Sequence, residues 1–408
     1  MKKFVTLAFC GLSVLALNAQ QANVDQAKKL AGKTDKIAEA RSLIQEALKN
    51  PETADQAQTY YVAGKIEWDA YDKNKAAQMV NPEKVDVFEM GNQLVNGYDY
   101  FIEVFPRDNE VDAKGNVKQK YTKELKGKIS GKHDDFYIAG ANLLENRDYY
   151  PVAYKAFMIY GDMPELEVLG DKKPVVKDTL RSRAYAYYYA GRAAFSDNNL
   201  PDAITAFRKA RQQNFRSYDE KTPSAHVFEI ACWQNMDKST PEKEAEVHAN
   251  ILEIAREGFD IYGASQPIFL SNIADGLNYQ GKPEEALAFV NDAIAKYPDV
   301  PEFYSVRAWL NDNLGNDDAS IEDYMKAISY PDSKYETMKA AIRKLLLTGQ
   351  TKLNEVELGD PNRKAKLDDI KAQYIHKAQE LIEVAMPKAD DPSDLEYFKE
   401  SVDYLMGV

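Results

Sequence analysis

From Pro267 onward the sequence repeats itself without a gap. Residues 267–300 and 301–334 align at a spacing of 34, with Ala274 on Ala308, Gly281 on Gly315, Ala286 on Ser320 and Ala293 on Ala327. A fixed period of this length points to an array in which each unit packs only on its neighbours. Small residues at these offsets let two antiparallel helices approach closely, and Gly281 and Gly315 fall where the turn between them is expected.

The same beat explains a second oddity. The chain writes YYVAG at Tyr60–Gly64, FYIAG at Phe136–Gly140 and YYYAG at Tyr187–Gly191. In the register of the C-terminal units, Gly191 takes the eighth position of a unit that begins at Ala184. Ala203, Phe207 and Ala210 then take the twentieth, twenty-fourth and twenty-seventh positions. Each of the three stretches therefore reads as the first helix of a pair, its glycine marking where the second helix crosses.

The stretch YQGKPEEALAFVNDAIAKYPD carries the fullest pattern. With Ala274 before it, it places a small residue at position eight, Gly281 at fifteen, Ala286 at twenty, Val290 at twenty-four, Ala293 at twenty-seven and Pro298 at thirty-two. This resembles the tetratricopeptide repeat (TPR) family. The resemblance implies an all-α, TPR-like α-solenoid of six or seven antiparallel helix pairs with irregular insertions. It is tight over about 100 residues and loose over most of the rest. Elsewhere the units are irregular: one from Ala57 is interrupted near Tyr71–Lys84 and resumes with Gly97, Phe101 and Val104. A last pair, Ala340–Leu347 with Tyr374–Ala385, surrounds a long loop. Ser393 and Glu396 form a capping box ahead of the apolar stripe Leu395, Phe398, Val402 and Leu405, so a helix over 393–406 is expected to cap the array.

The first twenty residues stand apart. Met1-Lys2-Lys3 followed by the apolar run Phe4–Leu17 reads as an export signal cleaved before Gln20, too short to span a bilayer. Phe9 before Cys10 disfavours lipidation. Removing the signal leaves Cys232 as the only cysteine and 50 basic against 65 acidic residues, a balance that argues against nucleic acid. The chain then divides into a leader (1–19), irregular N-terminal repeats (20–166), a connector (167–183) and C-terminal repeats (184–408). Residues 184–217, 267–300 and 301–334 are the most regular. An exported, periplasmic protein without a transmembrane segment is expected, with outer-membrane association or secretion as alternatives.

Signatures of catalysis fail one by one. GKT at Gly32–Thr34 lacks the first glycine and the strand of a phosphate loop. Glu244 and His248 share a helix face but have no third ligand, and DAKGN at Asp112–Asn116 places Lys114 and Tyr121 where calcium needs oxygen. Cys232 sits at the small-residue position of a first helix and reads as structural. No enzyme activity, metal or cofactor is expected.

What remains is a surface. In the TPR family the first helices line the inner face, with positions two, five, nine, twelve and thirteen directed inward. By register these are Tyr61, Lys65 and Trp68; Tyr137 and Leu144; Tyr185, Tyr188, Arg192 and Phe195; Asp275, Asn278 and Tyr279; and Trp309, Asp312 and Asn313. Rings beside cations suit a protein or peptide that is partly apolar and partly acidic. A non-catalytic adaptor or scaffold of the cell envelope is the expected role. The alternative is a glycan-binding component of an outer-membrane uptake system, which would stack sugars on the same rings. The run Lys114–Lys132, with seven lysines and the single acid Glu124, offers a possible peripheral contact but reads first as a solvated connector.

Overall fold

The computed structural model describes residues 21–111, 114–176, 181–216 and 224–407. The expected leader 1–19 with Cys10 lies outside these residues, as do Asp112 of the DAKGN stretch and residues 177–180 of the expected connector. The described chain is an all-α, TPR-like solenoid with one short hairpin. It divides into two compact units at Asn235 and Met236.

The first unit opens with α1 (21–30) and α2 (Ile37–Lys49), then α3 (Ala57–Val80) against α4 (Val87–Ile102). A hairpin of β1 (Glu110–Val111) and β2 (Val117–Lys118) leads to α5 (Thr122–Gly131). The pairs α6 (His133–Leu143) with α7 (Tyr150–Asp162) and α8 (Arg183–Ser196) with α9 (Leu200–Gln212) follow, then α10 (Ala225–Gln234). The second unit contains α11 (Pro241–Tyr262), α12 (Ile268–Tyr279), α13 (Pro283–Lys296), α14 (Pro301–Asn313), α15 (Asp317–Ile328) and α16 (Tyr335–Glu355). It ends with α17 (Arg363–Ile370), a π-turn at Lys371–Ile375, α18 (His376–Ala385) and α19 (Ser393–Gly407).

The pentapeptide glycines do what their register requires. A Cβ on Gly64 would lie 2.7 Å from the Phe101 ring, one on Gly140 2.9 Å from Phe157, and one on Gly191 2.6 Å from Phe207. In each pair a ring of the second helix fills the space left by a missing side chain on the first. Phe101, Phe157 and Phe207 are consequently buried. The turns within three pairs are left-handed at the fifteenth position: Gly281 (φ 71°), Gly315 (φ 75°) and Asn198 (φ 60°). Asparagine is the side chain that best tolerates this region, which is why the glycine rhythm misses the third turn.

Three expectations change, and the connector gains a contact between its flanking helices. The unit from Ala57 is not interrupted at Tyr71. Its fifteenth position carries neither Gly nor Asn, so α3 runs on for 24 residues and Tyr71 is buried. The expected long loop after Leu347 is helical, because α16 continues to Glu355 and α17 begins at Arg363. Helices before and after the connector 167–183 share one core, where Tyr187 of α8 fills the space beside Gly161 of α7 and donates to Asp162 at 2.6 Å. At 393 Ser393 is itself the first helical residue and not the cap, and its amide is accepted by Asp391 Oδ1 at 2.9 Å. The stripe behind it, Leu395, Val402 and Leu405, is buried as the pattern requires.

Candidate functional site

The predicted residues of the first unit lie on the first helices α3, α6 and α8, and the chain itself packs against much of this face. It leaves a cavity of about 290 Å³ beside α3 that is lined by Lys65, Trp68, Asp69, Asp72, Lys128 and Lys132 among others. Tyr61, at the fifth position of α3, stacks on Tyr121 with centroids 4.3 Å apart and donates to the Glu124 carboxylate at 3.2 Å. Burial, then the Glu124 charge, pushes this phenol up to about 12. Tyr121 precedes α5, whose Leu125 and Ile129 are buried in the same core. Asp108 fixes that insertion: its carboxylate is buried and accepts the amides of Lys120, Tyr121 and Thr122 at 2.8–2.9 Å together with the Thr122 hydroxyl. Burial works against the charge, but these donors outweigh it and hold Asp108 below the usual carboxylate range.

The remaining predicted residues of this face are engaged in the same way. Trp68 is 3% exposed, donates to the Leu94 carbonyl at 2.9 Å and lies 5.2 Å from the Lys132 ammonium. Lys65 pairs with Asp69 at 2.5 Å. Tyr137 meets the rings of Phe157, Tyr160 and Tyr189 edge-on. Tyr188 is 2% exposed and stacks on Phe215 at 4.2 Å, while Tyr185 donates to the Arg216 carbonyl at 3.1 Å. Phe195 packs edge-on against Phe228, and Arg192 stays exposed. Tyr61, Trp68 and Tyr188 are therefore buried by packing, although Trp68 and Lys65 also line the cavity beside α3. The basic run 114–132 is also more than a connector. Within it α5 is part of the core, Lys132 pairs with Asp72, and Lys128 pairs with Glu124 at 2.6 Å.

In the second unit the corresponding face is open. A groove of about 380 Å³ runs over α12, α14 and α16, lined by Ser271, Asp275, Glu302, Ser305, Val306, Trp309 and Thr337. The fifth position explains the difference. It is tyrosine three times in the first unit (Tyr61, Tyr137, Tyr188) and serine twice here (Ser271, Ser305). Small hydroxyls leave the space that the rings occupy. Trp309, at position nine, is half-buried in this groove. Asn278 is half-buried outside the lining, and Asp312 is taken up by Lys344, a buried ammonium that also binds Asp317 at 2.7 Å. Glu302, Ser271, Ser305 and Thr337 escaped the sequence reading because serine, threonine and glutamate on a helix look like ordinary solvated residues. The register did offer a signal, since Ser271 and Ser305 hold the inward fifth position and Glu302 the inward second, whereas Thr337 is distinguished only by lying beside them.

Other features bear on chemistry. A cavity of about 500 Å³ lies between α16 and α19, beside the exposed rings of Tyr397 (66%) and Tyr404 (69%). Cys232 is fully buried, and burial followed by the Glu229 charge pushes its thiol up to about 12, as a structural cysteine requires. His248 stacks on Tyr279 at 3.8 Å with Asp275 3.4 Å away. Among the described residues, no group of three or more His, Cys, Asp or Glu could hold a metal, and no helix is long and apolar enough to cross a membrane.

Fold and face together define a helical-repeat protein whose second unit offers an open groove. The tetratricopeptide repeat model matches residues 175–217 and 272–334, the latter containing most of the groove. Comparison with curated proteins finds no match. Among solved structures the chain is similar to the TPR domain of P58(IPK), at 12% identity, TM-score 0.30, and 95% of this chain against 98% of that one. It is also similar to the APC/C hetero-tetramer Cut9-Hcn1 (12%, TM-score 0.31, 94% and 84%) and to yeast Tom70 (12%, TM-score 0.23, 95% and 96%). The repeat assignment rests on the helix pairs and the matched segments.

Proposed function

We propose that this protein is a non-catalytic adaptor of the cell envelope that holds a segment of a protein partner against α12, α14 and α16. The observation that carries the reading is the groove over these three helices, with Trp309 half-buried in it, where Tyr61, Trp68 and Tyr188 on the equivalent face of the first unit are buried against its own side chains. A half-buried tryptophan among small hydroxyl residues has the character of a binding anchor, because it offers a large rigid apolar face at low entropic cost. The envelope assignment is supported by the charged, apolar and cleavage-site pattern of residues 1–19. Glycan binding through Trp68 and Tyr188 has less support, since both rings are buried.

Affinity capture from the envelope fraction, followed by mass spectrometry, tests the reading. Proteins retained by the wild type should be lost with Trp309→Ala, whose circular dichroism stays unchanged. Retention of the same proteins by the variant would remove the groove from the account.

A further inference from the structure

The chemistry of the groove differs from what the first-helix positions of the first unit suggested. There, position nine carries Lys65 and Arg192; in the groove it carries Asp275 and Trp309. Asp275 and Glu302 line the groove with Trp309, three hydroxyl residues and Val306, and no cationic side chain is among the lining residues. Both carboxylates are accessible: the Asp275 side chain is 56% exposed and that of Glu302 32%. Glu302 already holds a cation there, the ammonium of Lys334 at 2.9 Å, and that lysine is itself 68% exposed. An exposed lysine held only by a carboxylate at the edge of the groove can be exchanged for a cation of a ligand at little cost.

The charge of the whole unit points the same way. Residues 1–235 contain 33 basic and 32 acidic side chains, whereas residues 236–408 contain 19 basic and 33 acidic. The protein's net negative charge therefore lies in the unit that carries the open groove, at −14 against +1 for the first.

We infer that the groove over α12, α14 and α16 selects an extended protein segment bearing lysine or arginine, with an ammonium or guanidinium placed between Asp275 and Glu302 and its aliphatic stem against Trp309. The inference rests on the reading of this groove as the partner site and adds the sign of the partner's charge. A cation near an indole face gains from the ring quadrupole as well as from the carboxylates, and an alkyl stem covers the apolar part of the ring. Three adjacent helices at about 9–10 Å spacing span roughly 20 Å, which an extended segment of about six residues covers.

Selection from a display library of random peptides about twelve residues long, twice that span, tests this on the folded protein. Selected peptides are synthesised and titrated by fluorescence anisotropy against the wild type, Asp275→Asn with Glu302→Gln, Trp309→Ala and Ser305→Tyr. The expected result is enrichment of lysine or arginine in the selected sequences, with about tenfold weaker binding to the double carboxylate variant and further weakening as salt rises. Circular dichroism of each variant establishes that it is folded. Selected peptides that are uncharged or acidic, that bind the carboxylate variant as tightly as wild type and that fail on Trp309→Ala would overturn the cation preference while leaving the groove as the partner site. Peptides that bind Trp309→Ala and Ser305→Tyr as tightly as wild type would overturn the groove itself.

Discussion

The two units use one repeat plan for opposite ends. In the first, the fifth position of α3, α6 and α8 is tyrosine, and these rings are packed over by Tyr121, by Phe215 and by the insertion that Asp108 anchors. In the second, serine takes that position on α12 and α14 and the face stays open beside Trp309. The units share a buried-carboxylate device, so the difference is not one of general construction. Arg41 grips Glu67 at 2.6 and 2.8 Å, and Arg307 grips Asp323 at 2.6 and 2.8 Å, both in forked geometry. The fifth position, together with the insertion that packs on it, distinguishes the face that serves packing from the one that presents a surface.

The largest expected effect is on the ring-into-glycine contact of the first unit. Gly191→Leu must displace Phe207, whose ring already stands where a Cβ would go, and should destabilise by about 3 kcal/mol or more. A thermal melt reads this directly, and an unchanged midpoint would mean that YYYAG does not lie at a helix crossing.

Next come two substitutions that exchange the fifth-position residues. Tyr188→Ser removes a buried ring stacked on Phe215 and should cost about 2–4 kcal/mol in denaturant unfolding. Ser305→Tyr places a ring in the open groove and should change stability by less than about 1 kcal/mol, since the space is available. It should nonetheless abolish capture of the partner in the same pulldown. If Ser305→Tyr were the more destabilising of the two, the faces would not differ as described.

A smaller contrast concerns the fifteenth-position turns. Gly281→Ala puts a Cβ on a residue at φ 71° and should cost about 1 kcal/mol, whereas Asn198→Gly at φ 60° should leave stability within about 0.5 kcal/mol of wild type. Paired chemical denaturation curves compare them.

These turns also show how far the sequence could be read. Gly281, Gly315 and the three pentapeptide glycines were legible because each answers a local demand, either a left-handed turn or a close helix crossing, that few residues meet. Asn198 meets the same demand with a residue that is also common in loops, and was missed. The closure of the first face was beyond reach for a different reason. It depends on pairs distant in sequence, Tyr61 with Glu124 and Lys132 with Asp72, which the repeat register does not relate. Inward-facing positions could be named from the register, but whether a ring at such a position meets solvent or another ring depends on an insertion outside it. That is why Trp309 stands in a groove while Trp68 and Tyr188 lie in the core.

The smallest expected effect is a pH dependence confined to the first unit. His133 is buried, its Nε2 donates to the Tyr160 carbonyl at 2.9 Å and its ring stacks on Tyr160, and burial holds its protonation below the ordinary histidine range despite the nearby Asp134. The unfolded chain therefore takes up the proton first as pH falls. The contribution is fully present above the unfolded value of about 6.5 and is lost progressively as pH falls below it. Melts of the wild type and His133→Gln between about pH 7.5 and 5.5 should show a steeper decline for the wild type. Parallel curves would place the sensitivity elsewhere.

The claim that the second unit presents the partner surface while the first does not is tested most directly by hydrogen–deuterium exchange on the protein with and without its captured partner. The account predicts new protection in peptides from α12, α14 and α16, around Ser271, Ser305, Trp309 and Thr337, with α3, α6 and α8 unchanged. Protection gained on α3, α6 and α8, with the groove helices exchanging as before, would contradict it.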